Sequence, residues 1–429
     1  MSLYSSLYTG VSGMQTTSQE LSIVGDNVAN ANTIGFKQSR AAFADVLGQN
    51  LATGAGEVGL GSRLQAVQKI LTQGALTQTG MATDLAIQGG GFFMVEGPAG
   101  ENFYTRAGQF TVDQDGYLVN LDGLQVQGYQ ADSAGQISGS LGSMMVGDAQ
   151  YPPQITSTVT MRGNLDAGED IIPAPGFDVT DIANTTSGDP QPVTLYDSLG
   201  NAIDAEIHFT KTADGAWDYN VVTDGSNITG GTAGTPEVIA GGSLTYNPDG
   251  SLQTHAPNAA LVFNPVGAVN PQPLTFDFGT AIADGGTGLD GMTQFGNPQS
   301  VQFINQDGFA AGDLTSVTVE DDGTISGAFT NGQTRALGQV VLADFEAADQ
   351  LQRIGGNLFS ATEAAGEANI GRPGTGGRGR IVAGALEQSN VDLASEFVRM
   401  IVAQRGFQAN SKTVTTSDQL LDTLIQVKR

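Results

Sequence analysis

The chain has 429 residues, with 60 Gly and no Cys, and 44 Asp and Glu against 17 Lys and Arg give it a formal net charge of -27. Charged residues are only 14% of the total, about half the usual share of about 25%, so the acidity reflects a shortage of bases. That shortage removes the basic footprint that nucleic-acid binding needs and opposes adhesion to anionic membranes, while the missing Cys excludes disulfides and thiolate chemistry.

The first predicted element is a helix. The start, MSLYSSLYTG, lacks the basic region and apolar run of a cleaved signal peptide. No stretch approaches the roughly 18–20 apolar residues of a membrane span, so membrane insertion is not expected. Leu7, Met14, Leu21 and Val28 recur every seven residues, and Leu3, Val11 and Val24 fill adjacent positions. That is the stripe of a helix packed on other helices. The pattern predicts a helix of about 27 residues, roughly 40 Å long. Gly10, Gly13 and Gly25 each cost about 1 kcal/mol of helix propensity relative to Ala, so ordering only on packing is expected. Beyond it, GAGEVG at 54–59 matches G-x-G-x-x-G. No strand precedes it and no βαβ helix follows, so it reads as a loop.

The middle of the chain reads as strand. The runs are FFMV (92–95), YLVN (117–120), LQVQGY (124–129), VTLY (193–196), AEIHFT (205–210), WDYNVV (217–222), LTFDF (274–278), VQFI (301–304), SVTVE (316–320) and GQVVLADF (338–345). Asp-Gly pairs at 115, 122, 214, 249, 307 and 322 punctuate them. They predict hairpin turns, since both residues tolerate positive φ. Joints at 147–153 and 284–298 bracket a candidate inserted domain. DQDGY (113–117) lacks the first and twelfth ligands of a calcium loop and reads as a turn. Glu320, Asp321 and Asp322 directly precede Gly323 and read as a solvated turn, not an acid/base pair. His208 and His255 stand far apart without ligand-like neighbours. No catalytic residue, metal site or cofactor is expected.

The end of the chain is helical again. Met400, Phe407, Val414 and Leu421 repeat the seven-residue spacing, and Phe397, Ile401, Leu424 and Ile425 widen the stripe. Ser389 with Asp392 has the spacing of a capping box, and the helix is expected to reach roughly 55 Å. Arg372, Arg378 and Arg380 in GRPGTGGRGR are candidates for charge contacts with another subunit, a solvated loop being the equal alternative. The charge is segregated: residues 1–70 carry four acids and four bases, residues 361–429 seven and eight, and residues 71–360 carry 33 and five. The ends behave as one material and the middle as another. Two helices of this kind must pack on each other or on further copies.

Certain blocks carry a resemblance. ANANTIGFK (29–37), DLAIQGGGFFMV (84–95), YTRAGQFTVDQDGYLVN (104–120) and the long block 388–427 resemble signatures of the bacterial flagellar rod and hook proteins. TVTMRGNLDA (158–167) and 193–221 are similar to the outer domain of the hook-type members. The resemblance implies an α+β multidomain fold in which paired terminal helices form a coiled-coil-like core domain. A linker and two β-rich outer domains would be nested between them. The implied division is 1–30 with 389–429 as the core and 31–70 with 360–388 as the linker. The middle domain would be 71–150 with 298–359, and the outer domain 151–297.

The resemblance further implies a structural, non-enzymatic subunit of the extracellular flagellar hook. Copies would self-assemble into a curved tube that acts as a universal joint. Its partners would be many copies of itself, the distal rod protein, the hook–filament junction protein, the hook cap protein and the type III export apparatus, with export needing no cleaved signal peptide. Leu3, Leu7, Val11, Met14, Leu21, Val24, Val28, Phe397, Met400, Ile401, Phe407, Val414, Leu421 and Ile425 would supply the core contacts of assembly. Asn27, Asn30, Asn32, Thr33, Gly35, Phe36 and Lys37 would form the linker motif, Asn and Gly taking left-handed backbone at the helix end. A distal rod protein is the alternative within the family. A secreted monomeric β-rich enzyme or adhesin is the alternative outside it.

Overall fold

The computed structural model describes residues 3–46, 49–50, 57–147 and 149–427. It is α+β: three helices and many short strands, in two compact units. The first unit comprises residues up to 149, 314–328 and 334 onward, and the second comprises 150–313 and 329–333. Of the predicted loop at 54–59, residues 54–56 lie outside the described residues, and Glu57–Val58 form a short antiparallel pair with Gln49–Asn50.

In the first unit, helix α1 (Leu3–Ala29) pairs with the C-terminal helix. A hairpin of Ser39–Asp45 with Ser62–Lys69 lies beside α1, held by the Thr16 and Ser62 hydroxyls 3.2 Å apart. Ala and Gln fill much of both strands, which is why the pattern gave no strand signal there. The β body follows. Phe92–Glu96 pairs with Asn102–Thr105 and with Gln125–Ala131, which also pairs with Thr334–Val340. Phe93, Val95, Phe110, Val126, Val340 and Leu342 close one core. Phe92, Tyr104, Phe345 and Phe359 build a second, with edge-on ring contacts such as Tyr104–Phe345 at 4.8 Å.

In the second unit, five strands run as an antiparallel meander from Gln191–Tyr196 to Leu252–Pro257. Alternation sets their inner face: Trp217, Tyr219 and Val221 point one way and are buried. They join Val159, Met161 and Leu165 of the strand Thr158–Asp166 in one core. A short helix, α2 (Ile182–Thr185), precedes the meander.

The turns refine the expected geometry. Gly116, Gly123, Gly215, Gly250 and Gly323 have φ between 75° and 84°, while none of their Asp neighbours is left-handed and Gly308 is not either. The Asp or Asn three residues before a Gly does the work instead. Asp113, Asn120, Asp132 and Asp197 each accept from the backbone N–H two and four residues on. This is a three-residue loop with Gly in the bulge position, which needs one left-handed residue and not two.

Helix α3 (Leu393–Val427) closes the chain. Its cap is also corrected. Asp392 is itself the N-cap, its Oδ1 accepting from Ala394 N at 2.9 Å. Ser389 lies outside the helix and accepts from Val391 N. Asp392 directly precedes the first helical residue, so its carboxylate reaches the N–H groups of Ala394 and Ser395.

Candidate functional site

The helix pair meets through small and polar residues together with a few stripe residues, such as Val24 and Val414. On α3, Ala403 and Ser417 are buried and Asn410 between them is half-buried, seven residues apart. On α1, Gly10 and Thr16 are buried. A Cβ at Gly10 would lie 2.9 Å from Val414 Cγ2, and one at Gly13 would lie 2.5 Å from Asn410 Nδ2. These glycines therefore let the helices approach closely, and their cost in propensity is offset by contact. Gly25 has nothing within 4 Å of its missing side chain. Gly10→Val is expected to lower the melting temperature of the helical signal, while Gly25→Ala raises stability by roughly 0.5–1 kcal/mol. Circular dichroism melts of both variants check this, and stabilisation by both would contradict a tight seam.

The predicted stripe residues divide. Val24 is buried, and Leu7, Met14, Leu21, Val28, Met400, Val414 and Leu421 are half-buried, Val414 lying against Gly10. Val11, Phe397, Ile401, Phe407 and Ile425 are exposed. The side chains of Leu3 and Leu424 lie outside what is described. Val398, Val402, Leu420, Tyr4 and Tyr8 add to the exposed set, Val402 at 63% and Tyr8 at 69%. Large apolar side chains left along both helices after the helices have paired mark an interaction surface.

The linker motif forms the anchor that ties this pair to the β body. Asn27 is fully buried in α1, its Nδ2 donating to Ser39 O at 2.8 Å and to Glu396 Oε2 at 3.2 Å, and its Oδ1 accepting from Ser39 N. Asn30 donates back to Asp26, and Thr33 donates to Asn30 Oδ1. Asn32 is exposed. None of the three Asn is left-handed; Gly35 alone in the motif is, with φ 70°. The Asn side chains act as hydrogen-bonding groups, which corrects the expected backbone role. A Cβ at Gly35 would lie 2.6 Å from Ala107 N, so the chain crosses the β body there at a distance only Gly permits.

Beneath Gly35 lies a buried ionic cluster. Lys37 Nζ donates to Glu387 Oε1 at 2.6 Å and to Thr72 O at 2.8 Å. Arg106 Nη1 donates to Glu387 Oε2 at 3.3 Å, and Arg106 Nη2 to Gly89 O. Gly74 N also donates to Glu387 Oε1. The Lys37 and Glu387 side chains are wholly buried. Burial pushes the Lys37 ammonium below the usual lysine range, against the opposing pull of Glu387. Arg353 lies over the Phe36 ring at 4.7 Å, donates to Lys37 O and pairs with Asp26. Asn357 donates to Ile34 O, and Asn390 bonds Gln38, Ile70 and Thr72. Both ends of the chain and the β body are thus knotted at one place. Its chemistry is mechanical: it fixes the helix pair to the body.

Sequence reasoning missed Arg106, Glu387, Arg353 and Asn390 as members of this anchor. The available signal was rarity: Arg106 and Arg353 are two of only five bases between residues 71 and 360. In the basic loop, Arg378 is engaged by its own loop, bonding Arg372 O, Asn369 and Thr375. Arg372 and Arg380 are exposed.

Comparison with known proteins matches four family models in chain order. They are the flagella basal body rod protein model over 7–37, the flagellar hook protein FlgE/F/G D1 domain over 86–167, the flagellar basal body protein FlaE D2 domain over 164–309, and the flagellar basal body rod FlgEFG protein C-terminal model over 382–427. The flagellar hook protein FlgE of Escherichia coli K12 is 36% identical, covering 97% of this chain and 98% of its own. That of Salmonella typhimurium is 35% identical over 97% and 98%, and that of Borreliella burgdorferi 36% over 99% of each. A solved structure, the Helicobacter pylori flagellar hook protein FlgE2, aligns with a TM-score of 0.48 at 15% identity, over 73% of this chain and 100% of that one. Matching blocks at both ends and in the body, together with near-complete coverage at over a third identity, mean that the chain belongs to the flagellar hook protein family.

Proposed function

We propose that this chain is the structural subunit of a bacterial flagellar hook, a curved tube of many copies that transmits torque as a universal joint. The observation that carries the reading is the exposed apolar surface of the α1–α3 pair. Leaving Phe397, Ile401, Val402 and Phe407 about half exposed forgoes roughly 0.7–1.5 kcal/mol for each side chain that a neighbour could bury. Repeated along a tube, that contact would complete a coiled-coil-like core. The near-neutral ends suit such a core, since a large like charge would oppose close packing of many copies.

The division expected from the sequence is the proposed domain map, with the outer-domain boundary drawn out to Asp313. Ser300–Gln306 pairs there with Thr158–Asp166. In this map the anchor around Glu387 keeps each core helix pair rigidly joined to its middle domain, so that torque passes through it. Arg372 and Arg380 are free to meet acidic neighbours on other copies. The distal rod protein, hook–filament junction protein, hook cap protein and type III export apparatus are the proposed partners. Electron microscopy of the purified chain at rising concentration tests the reading: tubes are expected, and a chain that stays monomeric at every concentration would overturn it.

A further inference from the structure

We infer that the uncharged loop of the second unit, residues 257–274 with the neighbouring turn at Leu199, is the surface through which the second units of adjacent copies touch. The inference rests on the polymer reading above. The second unit carries Arg162 and Lys211 as its only Lys and Arg, against nineteen Asp and Glu. Lys211 is buried, its Nζ donating to Ala167 O and Glu169 O. Copies of such a unit repel one another over most of their surface.

The longest stretch to escape this lies late in the unit's meander and the loop after it. Residues 250–276 contain no Asp, Glu, Lys or Arg. Within it Val262, Val266 and Val269 are exposed, Val269 at 60%, and Leu199 nearby is exposed at 61%. The surface is braced, so its apolar side chains are held out by structure. Gln272 N donates to Phe263 O, with Phe263 buried. Gln272 Nε2 donates to Thr156 O and Tyr196 O. Val266 N donates to Asn227 O. Val269 N donates to Ser198 Oγ, which joins the loop tip to the Leu199 turn.

The same stretch offers two shapes. Val266, Val269 and Leu199 make an exposed apolar tip. Pro257, Leu261, Val262 and Pro271 line a cavity of about 400 Å³. A tip on one copy and a hollow on the next form a head-to-tail contact, the kind that propagates into an open helical array. The second copy is the occupant favoured by charge, because this is the unit's longest segment that lets two polyanions approach without opposed carboxylates. An apolar contact without directional bonds also slides with little barrier. Such an uncharged apolar contact suits a tube that must bend.

The chain has no Cys, so a single introduced thiol can carry a benzophenone–maleimide photocrosslinker. Val269→Cys places it on the loop, and Asp189→Cys places it on an exposed acidic segment as the control. Both full-length variants are assembled into tubes, confirmed by microscopy and irradiated. Covalent dimer from position 269 should exceed that from position 189 several-fold, and should vanish in dilute monomer. Equal yields from the two positions, or more from 189, overturn the inference while leaving the tubes and the polymer reading intact. Failure of the unmodified chain to form tubes overturns the polymer reading, and the inference with it.

Discussion

Glu387→Gln is expected to destabilise the first unit by about 3–5 kcal/mol at neutral pH, because it leaves two buried cations without their shared counter-ion. Both oxygens of Glu387 are used, by Lys37 and Gly74 on one side and Arg106 on the other. An amide keeps the shape and one acceptor but removes the charge. Arg106 cannot respond, since a guanidinium stays protonated. Lys37 can, because burial already lowers its pKa and the variant removes what opposed that. The sign then follows. The folded Lys37 pKa falls further below the unfolded value of about 10.4, so the unfolded chain binds more protons between the two values. The deficit is full below the folded pKa and shrinks as pH rises through that window. Urea unfolding at pH 7 and pH 9.5, followed by the helical signal, measures it. The single Trp, Trp217, sits in the second unit and its fluorescence should report an unchanged transition. A loss under about 1 kcal/mol, or one that does not ease at alkaline pH, would mean the cluster is not what holds the ends to the body.

The second large effect concerns assembly alone. Ile401→Asp with Phe397→Asp should leave the monomer's melt unchanged, because both side chains are already exposed. It should raise the concentration needed for assembly by roughly threefold to tenfold for each residue, on the roughly 0.7–1.5 kcal/mol that burying the exposed half of each contributes. Ala403→Asp is the contrasting variant. Ala403 is 2% exposed in the seam, so a carboxylate there should destabilise the monomer itself. Sedimentation and circular dichroism separate the two. Tubes that form normally from the double variant would remove the exposed edge from the assembly surface.

The sequence revealed some of this more readily than the rest, for physical reasons. Both terminal helices were legible because their apolar residues keep a long regular period. The strands from Phe92 to Asp344 were legible because alternation and Gly turns repeat. The seam was hidden because Ala403, Asn410, Ser417, Gly10 and Gly13 are small or polar, and hydropathy periodicity follows the large residues instead. Those large residues divide between the seam and the exposed edge. The turn chemistry lies two residues before the Asp of the first two Asp-Gly pairs, where Asp113 and Asn120 make the bonds. Glu387 carried no local signal at all: it is one of 44 acids, and only the fold brings it between Lys37 and Arg106.

The central claim is that the exposed apolar surface of the helix pair is completed by neighbouring copies. A cryo-EM reconstruction of tubes assembled from the full chain tests it most directly. The account predicts Phe397, Ile401, Val402 and Phe407 in van der Waals contact with α1 or α3 of adjacent subunits, with the Lys37–Glu387–Arg106 cluster intact in each. A map in which those four side chains face solvent while subunits meet elsewhere would contradict it.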